Sequence, residues 1–147
     1  MFERYTDKAR RVIFFARLEA SHFQSPTIDT EHLLLGLLRE FKALANRFPR
    51  DVALEESIRK HFEAKGTVQV RTSTSEDMQL SKEGKRILAY AAEEADQMAH
   101  KYIGTEHLLL GLLREQKCFA AQLLHERGIE LESVRNEIRN SQPQSDQ

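Results

Sequence analysis

The chain has 147 residues, a net charge of −1 and a single cysteine, Cys118. A near-neutral charge gives no bulk attraction to nucleic acid or acidic membranes, and one cysteine excludes an internal disulfide and fits a reducing compartment. No apolar run approaches the ~18 residues of a membrane span, and the start of the chain lacks the apolar run of a secretory signal. We therefore expect a soluble cytoplasmic protein with no nucleic-acid or membrane partner.

The first predicted element is a helix over residues 7–23. Thr6 supplies a hydroxyl N-cap, and Asp7 places an acid in the first turn, where the helix dipole favours it. Apolar residues then recur at intervals of three and four, which is typical of one buried helical stripe. The helix is expected to stop before Pro26, because proline disfavours helix at the preceding residue.

A second helix is predicted over residues 30–40, with Thr30 as its N-cap and Glu31 favouring its dipole. Leucines at positions 33, 34, 37 and 38 should face inward. Gly36 costs about 1 kcal/mol of helix propensity relative to alanine. A glycine in such a helix therefore indicates close approach of another helix.

The remaining pattern predicts six more elements of helix. Two short helices over 42–48 and 53–64 are separated by Pro49. Ser81 is the expected N-cap of the fifth helix and Thr105 that of the sixth. The last two are expected over 117–127, with Cys118 as a small, partly buried helical residue, and over 130–140. Gly128 fits a left-handed stop between them.

An internal duplication organises these elements. The eleven residues Thr30–Glu40 recur unchanged as Thr105–Glu115, 75 residues later, and the alignment extends on both sides. Such a repeat decides the fold. We predict an all-α domain of eight helices in two pseudo-symmetric groups of four. Residues 1–65 form the first repeat, 66–80 a Ser/Thr-rich linker, 81–140 the second repeat and 141–147 a disordered tail.

Catalytic motifs are missing from the sequence. Gly84-Lys85 lacks the upstream glycine and the following hydroxyl of a phosphate-binding loop, and neither Gly-x-Ser-x-Gly nor His-Glu-x-x-His occurs. Glu31 and His32 are adjacent, so on a helix they point about 100° apart and cannot share one metal. We expect no enzyme activity, no cofactor and no metal. A helical-bundle enzyme or metal protein is kept as a remote alternative.

Two equivalent residue pairs could bind a charged ligand. Thr30-Glu31 and Thr105-Glu106 lie at predicted helix N-termini, where backbone N–H groups can hold a phosphate. A carboxylate beside them can hold a guanidinium through paired hydrogen bonds. A ligand with both groups would suit these positions. The alternative is structural: threonine caps the helix and glutamate complements its dipole.

Four stretches resemble one known family. They are the opening Phe2–Thr6, the paired eleven-residue runs, Tyr102–His107 and Gly128–Arg135. Together they resemble the duplicated Clp N-terminal repeat domain of ClpA/ClpC-type Clp ATPases, closest to that of ClpC, over residues 1–140. The resemblance implies two four-helix repeats that receive protein substrates and adaptors for a Clp ATPase and its protease. With no ATPase following, we expect a free-standing adaptor, sequestering decoy or accessory subunit.

The resemblance also implies site residues. In some ClpC proteins the domain recognises phosphorylated arginine, and the acids central to that recognition correspond to Glu31 and Glu106, beside Thr30 and Thr105. Phe2 matches a position near a surface that binds small cyclic peptides, although an apolar anchor is the alternative.

The first copy departs from the family pattern in two places. It has Asp29 where the family has glycine, as at Gly104, and it carries the unusual segment Arg47–Asp51. We therefore expect the second site to bind better.

Overall fold

The computed structural model describes residues 2–41, 56–61 and 79–140. Its elements, in chain order, are α1 Asp7–His22, β1 Thr27–Ile28, α2 Thr30–Glu40, β2 Gln79–Leu80, α3 Lys82–Gln97, α4 Thr105–Arg114, α5 Phe119–Glu126 and α6 Leu131–Asn140. Residues 56–61 are helical as well. The described part is therefore predominantly helical. The predicted helix 42–48, most of the linker, the segment Arg47–Asp51 and the tail 141–147 lie outside it, so the count of eight helices stays a prediction.

Two helix pairs dominate the packing. α1 packs against α2, and α3 packs against α4. The long helices α1 and α3 begin as predicted: the Thr6 hydroxyl accepts from the N–H of Ala9 at 3.1 Å, and the Ser81 hydroxyl accepts from the N–H of Gly84 at 3.0 Å. Each pair is thus anchored by a capped first turn.

Glycine allows each pair to pack closely. A Cβ added to Gly36 would lie 2.5 Å from the carbonyl oxygen of Val12, and one added to Gly111 would collide with that of Ile87. Both carbonyls belong to the partner helix. The predicted reason for glycine at these positions, close approach of a neighbouring helix, is confirmed.

The leucine-rich helices α2 and α4 form the centre of the core. Most of their residues are buried, and Leu34, Leu37, Leu110 and Leu112 have almost no exposed surface. Burying one leucine side chain contributes roughly 1.5–3 kcal/mol. α4 also contacts α5 and α6, and α2 contacts α5. Helices from both halves therefore share one core.

Short extended segments join the two halves. β1 pairs in parallel with β2, with Ile28 opposite Leu80, and Tyr5 bridges Ile103 in the same sense. The two pairings involve equivalent positions. Each joins the residue two positions before a long helix to the residue two positions before the leucine-rich helix of the other half. The sequence did not predict them, because a two-residue strand has no measurable alternation.

The structure corrects the expected start of α5. The helix begins at Phe119, and Cys118 is its N-cap rather than a residue within the helix. Its sulfur accepts from the N–H of Ala121 at 3.3 Å. Burial raises the pKa of this thiol above its usual value. The predicted stop after α5 is confirmed, since Gly128 has φ +81°.

Candidate functional site

The N-termini of α2 and α4 carry the predicted site residues, and the two are capped differently. The structure corrects both expected caps: Asp29 and Gly104 are the N-cap residues, one position before Thr30 and Thr105. Asp29 Oδ1 accepts from the N–H of Thr30 at 2.8 Å and from the Ser81 hydroxyl at 3.0 Å. The anion position at the start of α2 is therefore filled by the protein's own carboxylate.

Glu31 is enclosed and paired within the protein. It is 2% exposed. One carboxylate oxygen accepts from the Thr30 hydroxyl at 3.2 Å, and the other lies 2.7 Å from Nε2 of His61. The His61 ring stacks on Phe119 with 3.9 Å between centroids and 3° between planes. His61 therefore occupies one of the two oxygens that an external guanidinium would need.

Glu106, at the equivalent position, has a different environment. It is partly exposed, and its Oε2 accepts from the Tyr102 hydroxyl at 3.3 Å. A Cβ added to Gly104 would lie 2.5 Å from Glu106 Oε1, so the carboxylate lies across the glycine backbone. Gly104 also makes no side-chain cap to the first turn of α4. This N-terminus thus combines a partly exposed carboxylate with backbone donors that no N-cap side chain covers.

The histidines of the two runs are structural. His32 Nδ1 accepts from the N–H of Asp29 at 2.8 Å, and His107 Nδ1 accepts from that of Gly104 at 2.9 Å. Each histidine therefore caps its own helix. Neutral His107 carries its proton on Nε2, which lies 2.9 Å from Nδ1 of His100.

The protonation of His107 is strongly disfavoured. Burial, followed by the charges of His100 and Arg4, lowers its pKa to about 4, while Glu94 acts in the opposite direction. The ring is fully enclosed. His107 is therefore neutral under physiological conditions, in keeping with its role as a hydrogen-bond acceptor for the helix start.

Phe2 contacts two residues near its own end of the chain. Its ring meets Tyr5 edge to face with centroids 4.8 Å apart, and its carbonyl oxygen accepts from Arg10 Nη2 at 3.1 Å. The side chain is partly buried against the core. These contacts match an apolar anchor, and a peptide-binding role for Phe2 stays a prediction.

A buried charge cluster in the second half was not predicted. Glu94 is 0% exposed and is held by two arginines. Arg135 binds both of its oxygens, at 3.0 and 2.7 Å, and Arg114 binds one at 3.2 Å. Burial acts to raise the pKa of Glu94, but the two arginines outweigh it, and the pKa is lowered. The duplication held the signal, since it aligns Glu19 with Glu94 and Arg59 with Arg135.

Two kinds of site receive no support in the described part of the chain. Across residues 2–41, 56–61 and 79–140, three or more metal-ligating side chains do not come together. Within the same ranges, each helix is too short or too polar to cross a membrane.

The chain combines an internal duplication with helices that place Glu31 and Glu106 at equivalent N-termini. The family model for the Clp repeat (R) N-terminal domain matches residues 4–127 and 79–146. The chain belongs to this family.

Curated relatives agree with this assignment. The chain is 34% identical over 139 residues to the negative regulator of genetic competence ClpC/MecB of Bacillus subtilis. It is 33% identical over 138 residues to the chaperone protein ClpB of Oceanobacillus iheyensis. Each match covers 94% of this chain and 17% of the relative. The chain thus spans about a sixth of the length of these relatives.

Solved structures show the same fold. The N-terminal domain of ClpD from Arabidopsis thaliana superposes with a TM-score of 0.68 at 25% identity, covering 92% of each chain. The Hsp104 N-terminal domain from Candida albicans superposes with a TM-score of 0.71, covering 95% of this chain and 94% of that one. At 21% identity, the second likeness concerns the fold alone.

Proposed function

We propose that this chain is a non-enzymatic module that binds protein substrates or adaptors of Clp proteolysis, and that it recognises phosphorylated arginine at the N-terminus of α4. One observation carries the proposal: Gly104 leaves the first turn of α4 without a side-chain cap, beside the partly exposed carboxylate of Glu106. Family membership supports the general role.

Phosphoarginine joins the two chemical groups that this site suits. Its phosphate is an anion, which the partial positive charge and backbone donors of a helix N-terminus favour. Its guanidino N–H groups can donate to the Glu106 carboxylate. To admit the phosphate, the carboxylate of Glu106 would move away from the Gly104 backbone. Tyr102, which donates to Glu106, would keep it oriented.

The equivalent position of the first half should bind this ligand poorly. The carboxylate of Asp29 repels a phosphate at the start of α2, and Glu31 is already paired with His61. Phosphoarginine would have to displace the Asp29 carboxylate from the N–H of Thr30 and the Glu31 carboxylate from His61. The proposed receptor therefore has one working site, at α4.

Calorimetric titration with phosphoarginine tests this proposal. We expect saturable binding that is lost in Glu106→Gln and retained in the matched variant Glu31→Gln, with unmodified arginine as the ligand control. Thermal unfolding should be recorded for both variants, because Glu31 is buried. Absence of binding by the folded wild-type protein would rule out the phosphoarginine role.

The proposed module could act as an adaptor, a decoy or an accessory subunit, and a degradation assay separates the three. An adaptor would speed the turnover of an arginine-phosphorylated substrate by a ClpC-type ATPase and its protease. A decoy would slow that turnover in proportion to its occupancy, and an accessory subunit would change turnover of unphosphorylated substrates too. The wild-type protein and Glu106→Gln should be compared in the same assay. An identical effect of both proteins would exclude the α4 site as the cause.

A further inference from the structure

Two histidines form a hydrogen-bonded chain that ends on the backbone of Gly104. His107 Nδ1 accepts from the N–H of Gly104 at 2.9 Å, and His107 Nε2 lies 2.9 Å from His100 Nδ1. Because Nδ1 of His107 is an acceptor, its Nε2 carries the proton and donates it to His100. His100 Nδ1 is therefore unprotonated, and the chain exists only while both rings are neutral.

This chain adjoins both parts of the proposed phosphoarginine site. Gly104 is the N-cap of α4, where the phosphate would bind. The Tyr102 ring stacks on His100, with centroids 5.1 Å apart and 10° between planes, and its hydroxyl donates to Glu106 at 3.3 Å. His100 thus supports the residue that orients the carboxylate, and it acts on the glycine through His107.

Solvent reaches His100 but not His107. His100 is partly exposed and lines a surface cavity of about 380 Å³, whereas His107 has no exposed surface. The pKa of His107 is lowered to about 4, chiefly by burial. Protons from solvent therefore meet His100 first. The charged and titratable groups around the pair are Arg4, Glu94, Asp96, Lys101, Tyr102 and Glu106.

A proton on His100 would break the chain. It would occupy Nδ1, so that two N–H groups faced each other across 2.9 Å. The pair can relieve this conflict in two ways. His100 can move away, which removes the ring on which Tyr102 stacks. Alternatively, His107 can shift its proton to Nδ1, which leaves the N–H of Gly104 without its acceptor.

The first half has different residues at these positions. Ser25 and Thr27 correspond to His100 and Tyr102. The Ser25 hydroxyl donates to the carbonyl oxygen of Thr27 at 2.6 Å, within its own turn. The stacked pair of His100 and Tyr102 therefore belongs to the half that carries the proposed site.

We propose that His100 is a proton-sensitive regulator of the α4 site, and that protonation of its ring weakens the binding of phosphoarginine. This inference rests on the proposed phosphoarginine role of the site. Neutral His100 keeps His107 bonded to Gly104. It also supports Tyr102, which orients Glu106. A protonated ring cannot keep both contacts, so the site loses either the orientation of its carboxylate or the hydrogen bond to its glycine.

Calorimetric titration with phosphoarginine at pH 8.0 and 6.0 tests this regulation. We expect the wild-type protein to bind roughly fivefold more weakly at pH 6.0, within the limit of about tenfold per pH unit that linkage to one proton sets. His100→Asn separates the cause. Its side-chain oxygen can accept from His107 Nε2 but cannot titrate, so this variant should lose the pH dependence. Titration of the ligand itself is common to both proteins and cancels in the comparison.

His22→Asn is the matched control, because it removes an exposed histidine from the first half. It should keep the wild-type pH dependence of binding.

A second measurement needs no ligand. NMR of the histidine ring nitrogens at pH 8.0 should place the His107 proton on Nε2. Lowering the pH to 6.0 should shift the amide signal of Gly104 in the wild type but not in His100→Asn. This measurement also decides the matter if His100→Asn binds phosphoarginine poorly at both pH values.

Two results would overturn the regulation and leave the phosphoarginine role intact. They are equal affinity of the wild type at both pH values, and the same pH dependence in the wild type and a binding-competent His100→Asn. A His107 proton on Nδ1 at pH 8.0 would also overturn it. Absence of binding by the wild type at pH 8.0 would instead refute the phosphoarginine role, and with it this regulation.

Discussion

The runs Thr30–Glu40 and Thr105–Glu115 are identical in sequence but differ in their surroundings. In the first, Asp29 caps the helix and Glu31 is buried against His61. In the second, Gly104 offers no side-chain cap and Glu106 is partly exposed. Identical motifs therefore need not be equivalent sites, because the residue before the motif and its distant contacts decide what the carboxylate can bind.

The charge clusters of the two halves also differ, but here the second half is the enclosed one. The second half buries Glu94 between Arg114 and Arg135, while the first half leaves Arg39 and Arg59 facing a groove. The second half thus encloses a charge cluster whose counterpart in the first half is exposed. The predictions below change one half and use the matching change in the other as the control.

Glu94→Gln should have the largest effect on stability. It removes the charge that two largely enclosed arginines share, and breaking a buried ion pair typically costs about 3–5 kcal/mol. The matching Glu19→Gln should cost less than about 1 kcal/mol, because its contact with Arg39 is long and exposed. Urea unfolding measures both. Similar losses in the two variants would contradict the contrast between the clusters.

Acid should destabilise the second half through His107. Its pKa in the folded protein is lowered to about 4 from 6.5, so between these values the unfolded chain binds a proton that the folded chain does not. The stabilising contribution is therefore complete above pH 6.5 and is lost as the pH falls toward 4, with a magnitude of about 3 kcal/mol.

Unfolding of wild type and His107→Gln across this pH range measures the effect. The variant should show a flatter pH dependence. The comparison variant is His125→Gln, which removes an imidazole from an exposed position on α5. Equal slopes in the wild type and His107→Gln would disprove that His107 causes the loss of stability in acid.

Gly36→Ala and Gly111→Ala should each destabilise the protein by about 1–3 kcal/mol, because the added methyl group meets the carbonyl of the packed helix. The added methyl group makes the closer contact at position 111, so Gly111→Ala should lose more stability than Gly36→Ala. The control is Gly84→Ala, which should lose less because its nearest contact would be longer, at 3.1 Å. Thermal unfolding compares the three variants, and a Gly111→Ala protein as stable as wild type would refute the close packing.

Gly104→Asp should have the smallest effect on stability and a large one on binding. An aspartate N-cap is worth only a few tenths of a kcal/mol relative to glycine. Its carboxylate would repel phosphate and would displace Glu106 from the Gly104 backbone. We expect near-normal thermal stability with phosphoarginine binding abolished in calorimetry. Undiminished binding would show that phosphoarginine does not bind at the start of α4.

Much of the local structure follows from the sequence. The caps Thr6 and Ser81 and the left-handed Gly128 each depend on residues near in the chain, and all are confirmed. The close approach at Gly36 and Gly111 was predicted from the low helix propensity of glycine and is also confirmed. The duplication predicted two equivalent groups of helices, and in the described residues α1–α2 and α3–α4 pack alike.

The remainder depended on contacts between distant residues. His61 reaches Glu31 from 30 positions away, and the sequence gives no sign of that pairing. The caps at Thr30 and Thr105 were wrong by one residue, because a preceding aspartate or glycine outcompetes threonine for the N-cap position. The pairing of β1 with β2 also depends on how the halves meet, which no local pattern records.

The most direct test of the asymmetry between the two motifs is a residue-resolved NMR titration of the wild-type chain with phosphoarginine. Our account predicts saturable shifts of the Gly104, Thr105 and Glu106 amide signals, with those of Asp29, Thr30 and Glu31 unchanged. Shifts centred on the start of α2, or equal shifts at both helices, would contradict it.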